Sequence, residues 1–155
     1  MLPLWLNLLL AVVTFFFMEC VAWFTHKYIM HGFLWSWHKS HHHPYEGVFE
    51  KNDLFGLVFS IPAAILMMIG GEYASLRFLL WIGVGITAYG VFYVLFHDVL
   101  VHQRIKTGFR AKNAYLKRMV RAHKIHHKCA QKDGAEAFGF LYAPKKYEAR
   151  LVQKK

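Results

Sequence analysis

Three long apolar runs set the frame of the chain. Leu4 to Phe24 is interrupted by a single charge, Glu19, Leu54 to Ile69 carries none, and Leu76 to Phe96 carries Arg77 near its start. About 20 apolar residues cross a hydrocarbon core, so the pattern predicts three membrane-spanning helices. Pro3 opens the first run, where proline costs a helix little. No basic segment precedes this run and no small-residue cleavage site follows, so it reads as a retained span and not a signal peptide. Neither glycine nor proline appears until Gly32, which extends the first helix beyond the membrane surface. Pro62 should kink the short second run, and Gly70-Gly71 should end it. Glu72, Tyr73 and Ser75 then make a tight turn. Gly83, Thr87 and Gly90 share one face of the third run, a spacing that predicts close helix packing. A re-entrant hairpin over residues 54–96 is the competing arrangement.

The polar stretches fill in the rest. Phe33, Leu34, Trp35 and Trp37 form an aromatic cluster suited to a membrane interface. Residues 44–53 read as a loop, with Asp53 as N-cap of the second span. Gly108 marks a further loop, and Asn113 is the expected N-cap of an amphipathic helix over Ala114–Lys128. At about 100° per residue, Leu116, Met119, Val120, His123, His126 and His127 fall on one arc. Lys117, Arg118, Arg121, Lys124 and Lys128 fall on the opposite one, facing water or lipid headgroups. Phe138 to Pro144 is too short to span and should tuck against the membrane face. The basic tail after it reads as a solvated end.

At 155 residues the chain (1–155) reads as a single domain. Its fraction of hydrophobic residues, 56%, exceeds that of ordinary soluble domains. The net charge of +10 would suit nucleic acid, but the basic residues are interleaved with apolar runs and no nucleic-acid motif is present. A lipid bilayer surface or an acidic protein is the expected partner. Of the 19 lysines and arginines, only Arg77 lies in the turn between the second and third spans. The positive-inside rule therefore puts the other ends of those spans in the cytoplasm. Cys20 and Cys129 are expected to be free thiols.

The chemistry sits in the histidines, ten of the 11 in two copies of one double motif. His26 and His31 form HX4H, followed by His38, His41 and His42 as HX2HH. His97 and His102 repeat the first box, and His123, His126 and His127 repeat the second. On a helix, positions three and four apart share a face, while the adjacent pair diverges by about 100°. One HX2HH can thus fan its ligands across two metal ions. An HX4H pair stands about 140° apart on an ideal helix, which suits two ions or an unwound helix end. Ten imidazoles are too many for one ion and suit two. An all-imidazole set fits iron, zinc, copper or nickel. His43 is outside the repeat and reads as an interfacial residue or one that supports a ligand from behind, not as a ligand. Cys129, two residues after His127, is a weak ligand candidate. Ligating imidazoles usually donate their other N–H to a carboxylate or carbonyl. Glu19 and Asp98 are the chosen candidates for that supporting role, with Glu50, Asp53 and Asp133 also near the boxes.

The order of the boxes resembles the membrane-bound fatty acid hydroxylase and sterol desaturase superfamily, and in detail its bacterial β-carotene hydroxylases. The matching stretches include Met18-Glu19, His26 to Gly32, Trp37 to His42, Phe49 to Leu54, His97 to Arg104, Tyr115 to Arg118, His123 to His127 and Phe138 to Pro144. The resemblance implies an all-α integral membrane protein with a histidine-box dimetal site on its cytoplasmic face, in the inner (plasma) membrane. It implies a non-haem di-iron monooxygenase using O2 and electrons from reduced ferredoxin, with β-carotene and related carotenoids as substrates. The expected product sequence is β-cryptoxanthin and then zeaxanthin. Zinc is the expected substitute in overexpressed, purified protein, because imidazole sites accept it and it ranks above ferrous iron in affinity. Fatty acid or sterol hydroxylases and desaturases use a similar site, and a carotenoid ketolase would oxidise C4. A metal-transport protein would want its ligands along a path through the membrane, whereas these gather on one face.

Overall fold

A computed structural model describes residues 2–43, 47 and 49–148. Parts of the expected loop at 44–53 and of the basic tail therefore lie outside the described residues. Three helices are long and apolar enough to cross a membrane: Leu4–Phe33, Lys51–Glu72 and Ala74–Val101. Among the described residues there is no strand. The first helix, α1 (Leu4–Phe24), passes without a break into a π-helical segment, Thr25–Phe33. Gly32 leaves helical geometry there, as expected of the residue that ends the run. A short helix, α2 (Trp35–His38), and a 3-10 turn, Lys39–His42, carry the second box. Next come α3 (Leu54–Glu72) and α4 (Arg77–Tyr93), the latter prolonged by a second π-helical segment, Val94–Val101. The last helix is α5 (Ala114–His126).

Long apolar helices with no dominant polar stripe turn much of their surface to lipid. Leu8, Val12, Phe16, Leu57, Ile61 and Ile65 are all exposed. Packing among the spans relies on small residues, because lipid tails compete equally for apolar side chains. A Cβ on Gly85 would stand 2.5 Å from the Ala11 carbonyl of α1, and one on Gly83 2.8 Å from the Ala63 carbonyl of α3. Gly90 meets nothing within 4 Å, so the expected small-residue face packs at Gly83 but not at Gly90. Gly70 does not end α3. The helix runs on to Glu72, and Gly70 instead admits the backbone of α4, where a Cβ would lie 2.2 Å from the Leu80 nitrogen. The helix also continues through Pro62.

Two expected caps fare differently. Asn113 accepts from the Leu116 N–H at 2.7 Å, as an N-cap should. Asp53 does not cap α3. It closes a 3-10 turn, Lys51–Asp53, by accepting from the Glu50 N–H at 2.9 Å in a reciprocal capping box. Its carboxylate also takes both terminal nitrogens of Arg104 at 2.8 Å.

The packed core lies where the ends of the spans meet α5. Phe96, Leu100 and Val101 pack there with Met119 and Ala122 of α5 and with Phe140, Ala143 and Tyr147. The expected tuck of Phe138–Pro144 is a strap reaching in from the C-terminal side. Glu19, inside the first span, accepts from the Phe140 and Leu141 N–H groups at 2.8 and 2.9 Å and from the Tyr89 hydroxyl at 2.7 Å. These bonds satisfy a carboxylate that would otherwise be costly at that depth. Arg118, in the expected cationic arc, pairs with Glu148 at 2.6 Å and lies over the Tyr115 ring.

The small-residue crossing gives a direct test. Gly85→Leu should force α1 and α4 apart and lower unfolding free energy in mixed micelles by about 1–3 kcal/mol, the usual range for overpacking. Gly90→Leu, with open space around it, should leave that value unchanged.

Candidate metal centre

All ten box histidines converge at one end of the helices, in two groups of five. His26, His31, His38, His42 and His126 form the first group, and His41, His97, His102, His123 and His127 the second. Within each group one ring nitrogen per residue lies within 4.8 Å of all the others. His43 is exposed and belongs to neither group. The Cys129 thiol also stays outside, donating to the Asp133 carbonyl at 3.1 Å. Both cysteines are free.

The HX2HH boxes fan out as expected. His38 and His42, four apart, stay together, while His41 crosses to the second group. In α5, His123 and His127 stay together and His126 crosses to the first. Each half of the chain thus supplies four imidazoles to one group and one to the other.

The HX4H boxes do not divide between ions. Both fall in π-helical segments, whose i→i+5 bonds bring residues five apart onto the same side. His102 N–H donates to the His97 carbonyl at 2.9 Å, and Leu34 N–H to the Ile29 carbonyl at 3.0 Å. His26 and His31 therefore share the first group, and His97 and His102 the second.

The outer ring nitrogens decide the protonation pattern. In the first group every Nδ1 has an uncharged acceptor. His26 donates to Phe138 O at 3.0 Å, His31 to Lys132 O at 2.8 Å and His42 to Cys129 O at 2.8 Å. His126 donates to Glu136 O at 2.9 Å and His38 to Asn52 Oδ1 at 2.7 Å. In the second group His41 donates to Glu50 Oε2 at 3.2 Å and His97 to Asp98 Oδ1 at 2.7 Å. Among the described residues, buried His123 has no hydrogen-bond partner for its Nδ1. Asp98 thus meets an imidazole as the sequence suggested. Glu19 does not, because its oxygens are taken by the strap and Tyr89. Asn52 and the four backbone carbonyls were not evident beforehand. Asn52 sits in the Phe49–Leu54 stretch that carries the resemblance, but nothing in its spacing marks it as a histidine partner.

A neutral imidazole has one N–H. With Nδ1 donating outward, Nε2 carries a bare lone pair pointing inward. His26 and His38 Nε2 stand 3.1 Å apart, His38 and His42 3.1 Å, His31 and His126 3.2 Å, and His41 and His97 2.9 Å. No proton is available to bridge such pairs, so they repel unless a cation lies among them. Imidazole nitrogens about 2.0–2.1 Å from one ion are separated by about 2.9–3.3 Å, and the observed spacing fits that geometry. Burial, reinforced by neighbouring imidazoles, pushes His38 down to about 2, His42 to about 4 and both His102 and His126 to about 3. His123 and His127 are lowered for the same reasons. At neutral pH these rings are uncharged and ready to ligate.

Two surfaces flank the centre. A cleft of about 1030 Å³ runs between α1 and the strap, with Phe17, Val21, Phe24, Phe138 and Tyr142 among its lining. Phe138 is also a wall of the first group, with its ring 5.2–5.3 Å from those of His26, His31 and His126. Phe140 lies 5.6 Å from His26 and 5.7 Å from both His97 and His123, so it touches both groups. On the opposite face of α5, Arg110, Lys117, Arg121, Lys124 and Lys128 line a shallow groove.

Residues 11–143 match the fatty acid hydroxylase family. The chain is 47% identical to a β-carotene hydroxylase of Pantoea ananas over 144 residues, which is 93% of this chain and 81% of the relative. It is 44% identical to a β-carotene hydroxylase of Paracoccus sp. (strain N81106 / MBIC 01143) over 139 residues, 89% of this chain and 85% of the relative. A chloroplastic β-carotene 3-hydroxylase of Gentiana lutea is 37% identical over 133 residues, 84% of this chain and 41% of the relative. No solved structure matches.

The lowered imidazoles dictate an acid response. Each lies below the unfolded value near 6.5, so below about pH 6.5 the unfolded chain binds protons that the folded chain excludes. Stability is then present above that pH and lost as pH falls through it. The metal-free protein in detergent should melt at a lower temperature at about pH 5.5 than at about pH 8. A melting temperature that holds or rises on acidification would contradict the lowered values.

Proposed function

Because this chain belongs to the fatty acid hydroxylase family, we propose that it is a membrane monooxygenase that hydroxylates the rings of β-carotene at C3, giving β-cryptoxanthin and then zeaxanthin. The observation that carries the reading is the identity of 43–47% with bacterial β-carotene hydroxylases over most of the chain. The family match also spans all ten box histidines. The 3-position is the one named for the Gentiana relative. In the overall reaction one oxygen atom of O2 enters the ring C–H bond. The other leaves as water, with two electrons drawn from the reductant, one from each of two reduced ferredoxins, and two protons from solvent.

The ten box histidines would hold two ions, five imidazoles to each, and the resemblance supplies iron as the metal. Two iron ions bound there would provide the O2-activating redox chemistry. The chain's own residues set the conditions for it. Glu50, Asn52, Asp98 and the carbonyls of Cys129, Lys132, Glu136 and Phe138 fix the tautomers of seven of the ten imidazoles, so that the Nε2 atoms of these rings face inward. Phe138 and Phe140 keep water from the hydrocarbon side. The cleft along α1 offers a polyene a path from the bilayer, with Phe138 between its end and the first group. All four boxes lie together at one end of the spans, and Arg77 alone among the lysines and arginines lies at the opposite turn. That asymmetry supports an inner-membrane enzyme with its metal centre in the cytoplasm. Ferredoxin is the proposed electron donor, docking on the cationic groove of α5, one helix thickness from His123 and His126.

Expression in cells that accumulate β-carotene, followed by pigment chromatography, tests the activity. Wild type should yield β-cryptoxanthin and zeaxanthin. His42→Ala and His126→Ala should yield neither, and His43→Ala should behave as wild type. Unconverted β-carotene with well-expressed wild type would sink the reading. For the donor surface, Lys117→Glu with Arg121→Glu should slow ferredoxin-supported turnover, most at low salt, where steering is least screened. Unchanged turnover at low ferredoxin would assign the arc to lipid headgroups instead.

A further inference from the structure

The two imidazole groups differ in what stands behind them. Five uncharged acceptors back the first group: Asn52 Oδ1 and the carbonyls of Phe138, Lys132, Cys129 and Glu136. Among the described residues, no carboxylate hydrogen-bonds to a first-group imidazole. The second group has two, Glu50 on His41 and Asp98 on His97. Glu50 is 12% exposed and Asp98 20%, so both act through protein more than through water. The nearby cation, Arg104, is taken up bidentately by Asp53 and lies 3.7 Å from Asp98. Around the second group Glu50, Asp53 and Asp98 stand against the Arg104 guanidinium and the Lys124 ammonium, which acts on His102, while the first group feels one carboxylate, Asp133, acting on His31 without a hydrogen bond to it.

A carboxylate behind an imidazole makes it a stronger donor through its other nitrogen, and removing such a partner typically costs about 10–100-fold in metal affinity. The added negative charge also favours a bound cation directly, and the more so the less water intervenes. We propose that the two metal positions are chemically unequal. The position among His41, His97, His102, His123 and His127 binds a divalent cation first and more tightly, with Glu50 and Asp98 as the positioning residues that make it so. The proposal rests on the two-ion reading above but adds an order of filling to it.

Anaerobic titration of metal-stripped protein with isotopically enriched ferrous iron, read by Mössbauer spectroscopy, separates the two ideas. At one equivalent a single quadrupole doublet should dominate, and a second, distinct doublet should appear only as the second equivalent is added. Glu50→Gln with Asp98→Asn should weaken the first site about 10–100-fold and spread the first equivalent over both doublets. Asn52→Asp should do the converse. It places a carboxylate behind His38 in the first group, raises that site's affinity and narrows the gap, an effect that misfolding cannot mimic. Two ions that fill together with one common doublet would overturn the inequality and leave the dimetal reading standing. An order of filling unaffected by all three substitutions would overturn the assignment of that order to Glu50 and Asp98. Saturation at a single ion would overturn the dimetal reading itself, and the inequality with it.

Discussion

Lone pairs on nitrogen repel, and this protein holds pairs of imidazole Nε2 atoms 2.9–3.2 Å apart in its interior. The rest of the architecture follows from that constraint. A ring turned over would put an N–H in the cluster and remove a ligand, so the tautomer must be fixed from outside. Acceptors from several parts of the chain do this. Phe138 and Lys132 lie 112 and 101 residues from His26 and His31, yet their carbonyls hold those two rings. Metal binding and assembly of the layer at the histidine end of the spans are thereby one problem, since neither group is complete until α5 and the strap are seated.

Two small pieces of chain do much of the locking. The 3-10 turn Lys51–Asp53 and its N-cap Glu50 touch both groups: Asn52 holds His38, Glu50 holds His41, and Asp53 clamps Arg104 just beyond His102. The strap is pinned by Glu19, whose oxygen leaves no room for a side chain at residue 139. A Cβ there would stand 2.6 Å from Glu19 Oε1. A carboxylate inside the first span thus serves the imidazoles only indirectly, by setting the strap whose Phe138 carbonyl meets His26.

Much of this was legible in the sequence. The three apolar runs gave the spans because twenty apolar residues have few other uses. That each HX2HH would fan out followed from the angle between its adjacent histidines, but which histidine crosses depends on local winding, since the first box runs into the 3-10 turn Lys39–His42. The HX4H boxes were not legible in the same way. Their pairing depends on π-helical winding, which leaves no mark in residue type, so an ideal helix put His26 and His31 on diverging faces. Asp53 looked like a helix cap because Asp before an apolar run usually is one, and its guanidinium partner lies 51 residues on. Backbone acceptors were invisible for a simpler reason: every residue has a carbonyl, and only the fold selects which one faces a histidine. Gly70 read as a terminator because glycine ends many helices, whereas here it admits Leu80 of a neighbouring helix.

In the proposed function, ten imidazoles from two sequence repeats would hold two ions, each half of the chain lending one histidine to the other's group. Crystals of the iron-loaded protein, measured at the iron absorption edge, address it most directly. The anomalous map should show two peaks, one among His26, His31, His38, His42 and His126 and the other among His41, His97, His102, His123 and His127. A single peak, or two peaks each ringed by the boxes of one sequence half alone, would contradict the account.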